Sequence, residues 1–314
     1  MTSLAFVFPG QGSQSVGMLA GAYAAFPEVA ATFDEASEAL GYDVWKLVCE
    51  GPAEALALTE RTQPIILTAS VGLYRAWIAQ GGSVPAVVAG HSLGEFSALV
   101  AAESLSFADA VRLVRRRGQA MQIAVPVGEG AMAAIIGLAD NVITDICTRV
   151  SQGPDTHHVS AVNYNSPGQV VIAGHVAAVG DAIVELKTAG AKRALPLPVS
   201  APFHTPLMIS AGEVLAEALS EISVHSSKIP VVSNVNAQLQ TNAEDIKALL
   251  VKQIASPVLW TQCVQSMLAF GSNTFVECGP GKVLSGLIRR VDKQTQCHSI
   301  GSPEDLNAAL ETLQ

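Results

Sequence analysis

This chain is poor in charge and in aromatic rings. Of its 314 residues, 14% are charged and 5% aromatic, against 49% hydrophobic. So little charge excludes a disordered polymer and predicts a large buried core. There is no surplus of base either, since the formal net charge is -9. A general nucleic-acid binder carries a basic footprint, so no nucleic-acid partner is expected. Cysteine is scarce. The five (Cys49, Cys147, Cys263, Cys278, Cys297) are odd in number and form no Cys-x-x-Cys pair. That excludes a disulfide scaffold and a zinc knuckle and fits a reducing compartment. No apolar run is long enough to span a bilayer. The opening "MTSLAFVFPGQG" lacks the basic start and long apolar run of a secretion signal. The expectation is a cytoplasmic protein with no membrane partner.

What is present alternates. "LAFVFPG" is a short apolar run stopped by Pro9 and Gly10, as a buried parallel strand would be. Helical spacing follows from Leu19 to Leu40, broken at Pro27. "TQPIILTASVGLYRAWIAQGG" predicts a helix from Pro64 to Gly81. "PAVVAG" is a strand and "FADAVRLVRRRGQAMQIA" a long helix. Strand and helix in turn predict an α/β domain with a mostly parallel sheet. The rhythm changes near Pro126. "GAMAAIIGL" is a strand, and "DNVITDICTRVS" a helix capped by Asp140. "HVSAVNYN" and "GQVVIAG" form a hairpin across "SPG". A helix to Gly190 and the strand "AKRALPLPVS" complete β-α-β-β-α-β, a ferredoxin-like unit. After it come a helix, the strand "IPVVSNV", helices at 243–255 and 260–270, the strand "TFVECGP" and a final helix after "GPGKVL". The expected fold class is α/β. An α/β-hydrolase-like large domain (1–126 and 199–314) carries an inserted ferredoxin-like small domain (127–198).

Chemistry concentrates at "VVAGHSLGEFSALV", residues 87 to 100. Gly-x-Ser-x-Gly between a strand and a helix is a nucleophile elbow, with Ser92 as the nucleophile. Gly90 and Gly94 leave room for the tight turn. The N–H of Leu93 opens a helix and can donate to an oxyanion. A serine needs a base, and seven histidines are available. His91 adjoins the serine, but neighbouring side chains point in opposite directions. His157, His158, His175, His225 and His298 have polar surroundings or lie in the small domain. His204 stands in the Pro-bracketed loop "PVSAPFHTPLM". It is either a surface residue or a base held rigidly at the sheet's end. No acid offers itself as the third member. Asp109, Asp140, Asp145, Asp155 and Asp181 sit in helices, caps or loops, and Glu277 is the best strand-end candidate. A backbone carbonyl can hold the imidazole instead.

On the helix "RLVRRRG", steps of about 100° put Arg112 and Arg116 away from the apolar face and Arg115 toward its side. Arg117 alone falls near that face. A guanidinium there requires a partner, either a protein carboxylate or an anionic ligand. "GPGKV" lacks phosphate-loop spacing and is a tight turn before a helix. Asn163 and Asn165 supply hairpin turn chemistry or face a cleft between the domains.

In order along nearly the whole chain, "FPGQGSQ", "GHSLGE", "RRRGQAMQ", "NYNSPGQVVIAG", "VSAPFHTPLM" and "ECGPGKVLSGL" resemble the malonyl-CoA:acyl carrier protein transacylases. The polyketide synthase acyltransferase domains are similar. The resemblance implies that Ser92 is acylated, that His204 is the base and that the N–H groups of Gln11 and Leu93 form the oxyanion hole. It implies that Arg117 pairs with the malonate carboxylate and that the Gln253 carbonyl orients the histidine. Phe203 would crowd an α-methyl group, as Phe does in polyketide relatives selective for malonyl. Asn163 is a further substrate-binding candidate. The implied partners are malonyl-CoA and acyl carrier protein, with no cofactor and a monomeric chain. Because carrier proteins are acidic, Lys187, Lys192, Arg193, Lys282, Arg289 and Arg290 are docking candidates. Two other activities share the elbow: a serine esterase or thioesterase, and a discrete acyltransferase of a polyketide pathway. A non-catalytic scaffold is a third, and intact Ser92, His204 and Arg117 argue against it.

Overall fold

The computed structural model describes residues 3–152, 157–199 and 201–313. Ten strands run β1 Ser3–Phe8, β2 Val87–Gly90, β3 Gly130–Ile136, β4 Val159–Ser166, β5 Gln169–His175, β6 Arg193–Pro196, β7 Val231–Val232, β8 Leu239–Gln240, β9 Ser272–Glu277 and β10 Gln296–Ser299. They form two sheets. The larger has the order β10-β9-β1-β2-β7-β8 and is parallel except for the β7–β8 pair.

β1 lies centrally and is buried on both faces. Phe6 and Phe8 pack into one apolar cluster, with helices such as Thr59–Ala79 and Phe107–Ile123. Ala5 and Val7 pack into another, with Trp260–Ala269 and Val283–Val291. Side chains alternating every second residue produce this division. From β1 the sheet grows to β2 on one side and β9 on the other. A crevice opens at such a switch point, beyond the carboxyl ends of the strands. The second sheet is antiparallel in the order β4-β5-β3-β6. Helices Asp140–Val150 and Val176–Thr188 share a third apolar cluster with it. A bridge from Asn163 to Val258 ties β4 to the rest of the chain.

Several boundaries differ from expectation. The helix expected to begin at Pro64 begins at Thr59, so Pro64 is its sixth residue. The ring removes one donor, the N–H that would otherwise bond the Glu60 carbonyl in the second turn. Thr62 Oγ1 donating to the Leu56 carbonyl helps to fix the start. Asp140 is not the cap of its helix but its first residue, after Ala139. The strand expected to reach Ser200 ends at Pro196, and Ser200 lies outside the described residues, as does Asp155. The strand "IPVVSNV" shrinks to Val231–Val232. β8, β10 and the helix Pro303–Leu313 were not anticipated.

Candidate active site

The turn after β2 is held by sterics and by one asparagine. Ser92 has φ 52, a left-handed backbone that side-chain-bearing residues rarely adopt. A Cβ on Gly94 would lie 2.0 Å from the Phe8 carbonyl oxygen, and one on Gly90 would lie 1.8 Å from the Gly94 carbonyl carbon. Both glycines are therefore obligatory. Asn234, in the loop after β7, fixes the strained residue. Its Oδ1 accepts from the Ser92 N–H at 2.7 Å, and its Nδ2 donates to the Gly90 carbonyl at 2.7 Å.

His204 reaches the serine from the Pro-rich loop. It is buried, with φ 64, and Thr205 Oγ1 braces the loop by donating to the Pro202 carbonyl. His204 Nδ1 lies 2.9 Å from the Gln253 carbonyl oxygen. A carbonyl only accepts, so Nδ1 carries the proton. Nε2 is then the acceptor, 2.7 Å from Ser92 Oγ. Burial and, after it, the nearby Arg117 charge push the imidazole down to about 3. The ring is neutral at physiological pH, as a base must be.

Arg117 is 1% exposed. Nη1 donates to Gln63 Oε1 and Nη2 to Gln253 Oε1, each at 2.9 Å, and Nη2 lies 3.3 Å from Ser92 Oγ. Nε has no partner. The group makes no direct ion pair among the described residues, so the carboxylate alternative is not met. Burial lowers it to about 10, against the opposing pull of Glu95, so it stays cationic at neutral pH.

Ser92, Leu93, His204, Arg117, Gln11 and Phe203 line one cavity of about 120 Å³. Asn163 lines it too, with its buried Oδ1 unpartnered. His91 borders the same space, with Nε2 2.8 Å from Asn165 Oδ1 and its ring against Trp260. The structure thus brings together the catalytic and substrate-binding candidates Ser92, Leu93, Gln11, Arg117, Phe203, Asn163 and His204, with Gln253 behind His204. Glu277, by contrast, is far from the role considered for it. Its two oxygens accept from the N–H groups of Leu284 and Ser285, at 2.9 and 2.7 Å, and so cap a helix. The docking candidates Lys282, Arg289 and Arg290 all have partners within the protein: Asp305, the Cys297 carbonyl and Gln169.

Three polar residues escaped notice in the sequence: Gln63, Glu95 and Asn234. Glu95 was legible in principle, because it is the one charge in the otherwise apolar, small-residue helix Gly94–Ala101. Asn234 and Gln63 reach the site only through chain reversals 142 and 54 residues long.

Among known proteins, residues 5–310 match the acyl transferase domain family. The malonyl CoA-acyl carrier protein transacylase of Escherichia coli strain K12 is 55% identical over 311 residues, 99% of this chain and all of the relative. The solved structure of the transacylase from Coxiella burnetii has a TM-score of 0.97 and 47% identity, covering 99% of this chain and 98% of that one. A structure described as a type II PKS acyl-carrier protein in complex with its malonyl-transacylase has a TM-score of 0.96 and 48% identity, covering 99% and 100%. Its mixed α/β fold, built on a parallel-rich sheet, is the one described above. The chain belongs to the acyl transferase domain family and, within it, to the malonyl CoA-acyl carrier protein transacylases.

Proposed function

We propose that this enzyme moves a malonyl group from malonyl-CoA to the thiol of acyl carrier protein, through a malonyl ester on Ser92. The observation that carries the reading is the contact between Ser92 Oγ and His204 Nε2 at 2.7 Å, with a buried guanidinium 3.3 Å from the same oxygen. His204 takes the Ser92 proton as Oγ attacks the thioester carbonyl. The N–H groups of Gln11 and Leu93 receive the oxyanion, at the carboxyl ends of β1 and β2. As the C–S bond breaks, the imidazolium returns its proton to the departing CoA thiolate. The carrier-protein thiol then loses its proton to His204 and attacks the ester; the C–Oγ bond breaks and the imidazolium returns the proton to Ser92. Two transfers of one acyl group balance with no cofactor.

The Gln253 carbonyl takes the place of a triad acid. It fixes the tautomer but supplies no negative charge to the imidazolium. Arg117 adds to that deficit, since its charge helps to depress His204. A malonyl carboxylate on Arg117 offsets that charge and strengthens the base at the moment it is needed. An acetyl group leaves both the guanidinium unpaired and the base weak, so selection and rate share one cause. Phe203 crowds the α-carbon, and Asn163 offers its free Oδ1 to the substrate arm. An esterase has no use for the buried Arg117.

The strand order β4-β5-β3-β6, with two helices on one sheet, supports assigning 127–198 as a ferredoxin-like insertion. The large domain, 1–126 and 199–314, is then α/β-hydrolase-like by its elbow. Five free thiols support a cytoplasmic setting, and we take the chain to be a monomer. Fatty acid synthesis is the pathway, with a polyketide carrier protein as the second reading because one relative above is complexed with such a carrier. Intact mass after malonyl-CoA tests the reaction. A malonyl adduct on the wild type and none on Ser92→Ala is expected. No adduct, or equal labelling by malonyl-CoA and acetyl-CoA, contradicts it.

A further inference from the structure

Glu95 has no part in the chemistry above. Its carboxylate is 3% exposed, and apart from Arg117 the only other Asp, Glu, Lys or Arg so deeply buried among the described residues is Glu277. Its Oε2 accepts from the Asn234 main-chain N–H at 3.0 Å and from Gln253 Nε2 at 2.8 Å. Each donor leads to a different half of the site. Asn234 holds the Ser92 N–H and the Gly90 carbonyl, which shape the elbow. Gln253 accepts from Arg117 with its side chain and from His204 with its main chain, and its Nε2 also donates to the Ser92 carbonyl at 3.0 Å. One carboxylate oxygen is thus the common anchor of nucleophile, base and receptor.

The charge matters as well as the bonds. Arg117 is buried between two neutral amides without an ion pair. A buried cation requires negative charge nearby. Glu95 supplies it through a single intervening amide, that of Gln253.

We propose that Glu95 is the positioning residue of this site, tying the Ser92 elbow to His204 and Arg117 through Asn234 and Gln253 and balancing the guanidinium while no substrate is bound. This rests on the roles given above to Ser92, His204 and Arg117. The ionised carboxylate accepts charge-assisted bonds, which hold alignment more firmly than neutral ones. The same charge repels an arriving malonyl carboxylate. Glu95 therefore favours the chemical step and opposes binding. Burial raises its carboxyl to about 7, so the balance shifts within the physiological range.

The test is single-turnover malonylation of the full chain, read by rapid quench and intact mass, between about pH 5.5 and 9. Glu95→Gln keeps an acceptor oxygen and removes the charge. Its maximal rate should fall roughly tenfold to a hundredfold, while the half-saturating malonyl-CoA concentration stays level or drops. The wild-type acid limb, near 7, should vanish in the variant. Glu95→Asp keeps the charge and loses reach, so its rate should fall with the limb retained. A merely structural role would lower the rate and raise half-saturation together, and that result overturns the proposal. So does Glu95→Gln with a wild-type rate and profile. If neither variant folds, the wild type decides alone, since a rate flat from about pH 5.5 to 9 also overturns it. Failure of the underlying reading looks different: no adduct on Ser92 at any pH in the wild type.

Discussion

Two buried glutamates lie at or beyond the carboxyl ends of parallel strands on either side of β1 and bond different partners. Glu277 ends β9 and turns its oxygens onto the first N–H groups of the helix Val283–Val291. Glu95 opens the helix after β2 and turns one oxygen onto residues from two distant segments. Both are raised in pKa, first by burial. The first closes a local turn, whereas the second joins pieces of chain more than 130 residues away. A carboxylate satisfied by the next helix along the chain is architecture. One satisfied by Asn234 and Gln253, which bond Ser92 and His204, has the alignment role proposed above.

The largest effect separates the two junctions by chemistry. Ser92→Ala should abolish acylation, while Ser285→Ala, beside Glu277, should leave the rate within about twofold. Intact mass after malonyl-CoA reads both. Acylation surviving in Ser92→Ala would break the comparison at its base.

A smaller effect separates them by stability. Glu277→Ala leaves two helix N–H groups buried and unpaired, which costs about 2 kcal/mol. Denaturant unfolding should report that loss, while the malonylation rate of the folded fraction is unchanged. A slowed rate with unaltered stability would reverse the assignment.

The finest effect is in pH. The folded Glu95 carboxyl titrates near 7 against 4.5 as its ordinary value. Between these values the folded state holds a proton that the unfolded state has lost. Stability from this group is therefore full below 4.5 and falls as pH rises to about 7. The slope is at most about 1.4 kcal/mol per pH unit. Glu95→Gln should remove that slope from the unfolding free energy, and identical slopes in both proteins would contradict it.

Much of this was legible in the residues. The glycines of "GHSLG" announce a turn only they can make, and helical phase alone put Arg117 on a buried face. The parallel core could be read from "LAFVF" and "PAVVAG" because continuous apolar runs mark strands buried on both sides. His204 became a base only through family resemblance, since one loop histidine looks like another. The polar frame was least legible. The side chains of Gln63, Asn234 and Gln253 acquire their roles from long-range contacts, which leave no periodicity in a sequence. Glu277 misled for the same reason, since a strand-end acid and a helix cap look alike until the helix is placed.

In the proposed mechanism Arg117 couples acyl selection to acyl transfer. The most direct measurement is the ratio of Ser92 acylation rates with malonyl-CoA and acetyl-CoA, in the wild type and in Arg117→Ala. Removing the guanidinium should collapse the ratio by roughly a hundredfold, mostly through loss of the malonyl rate. An unchanged ratio in folded Arg117→Ala would contradict the account.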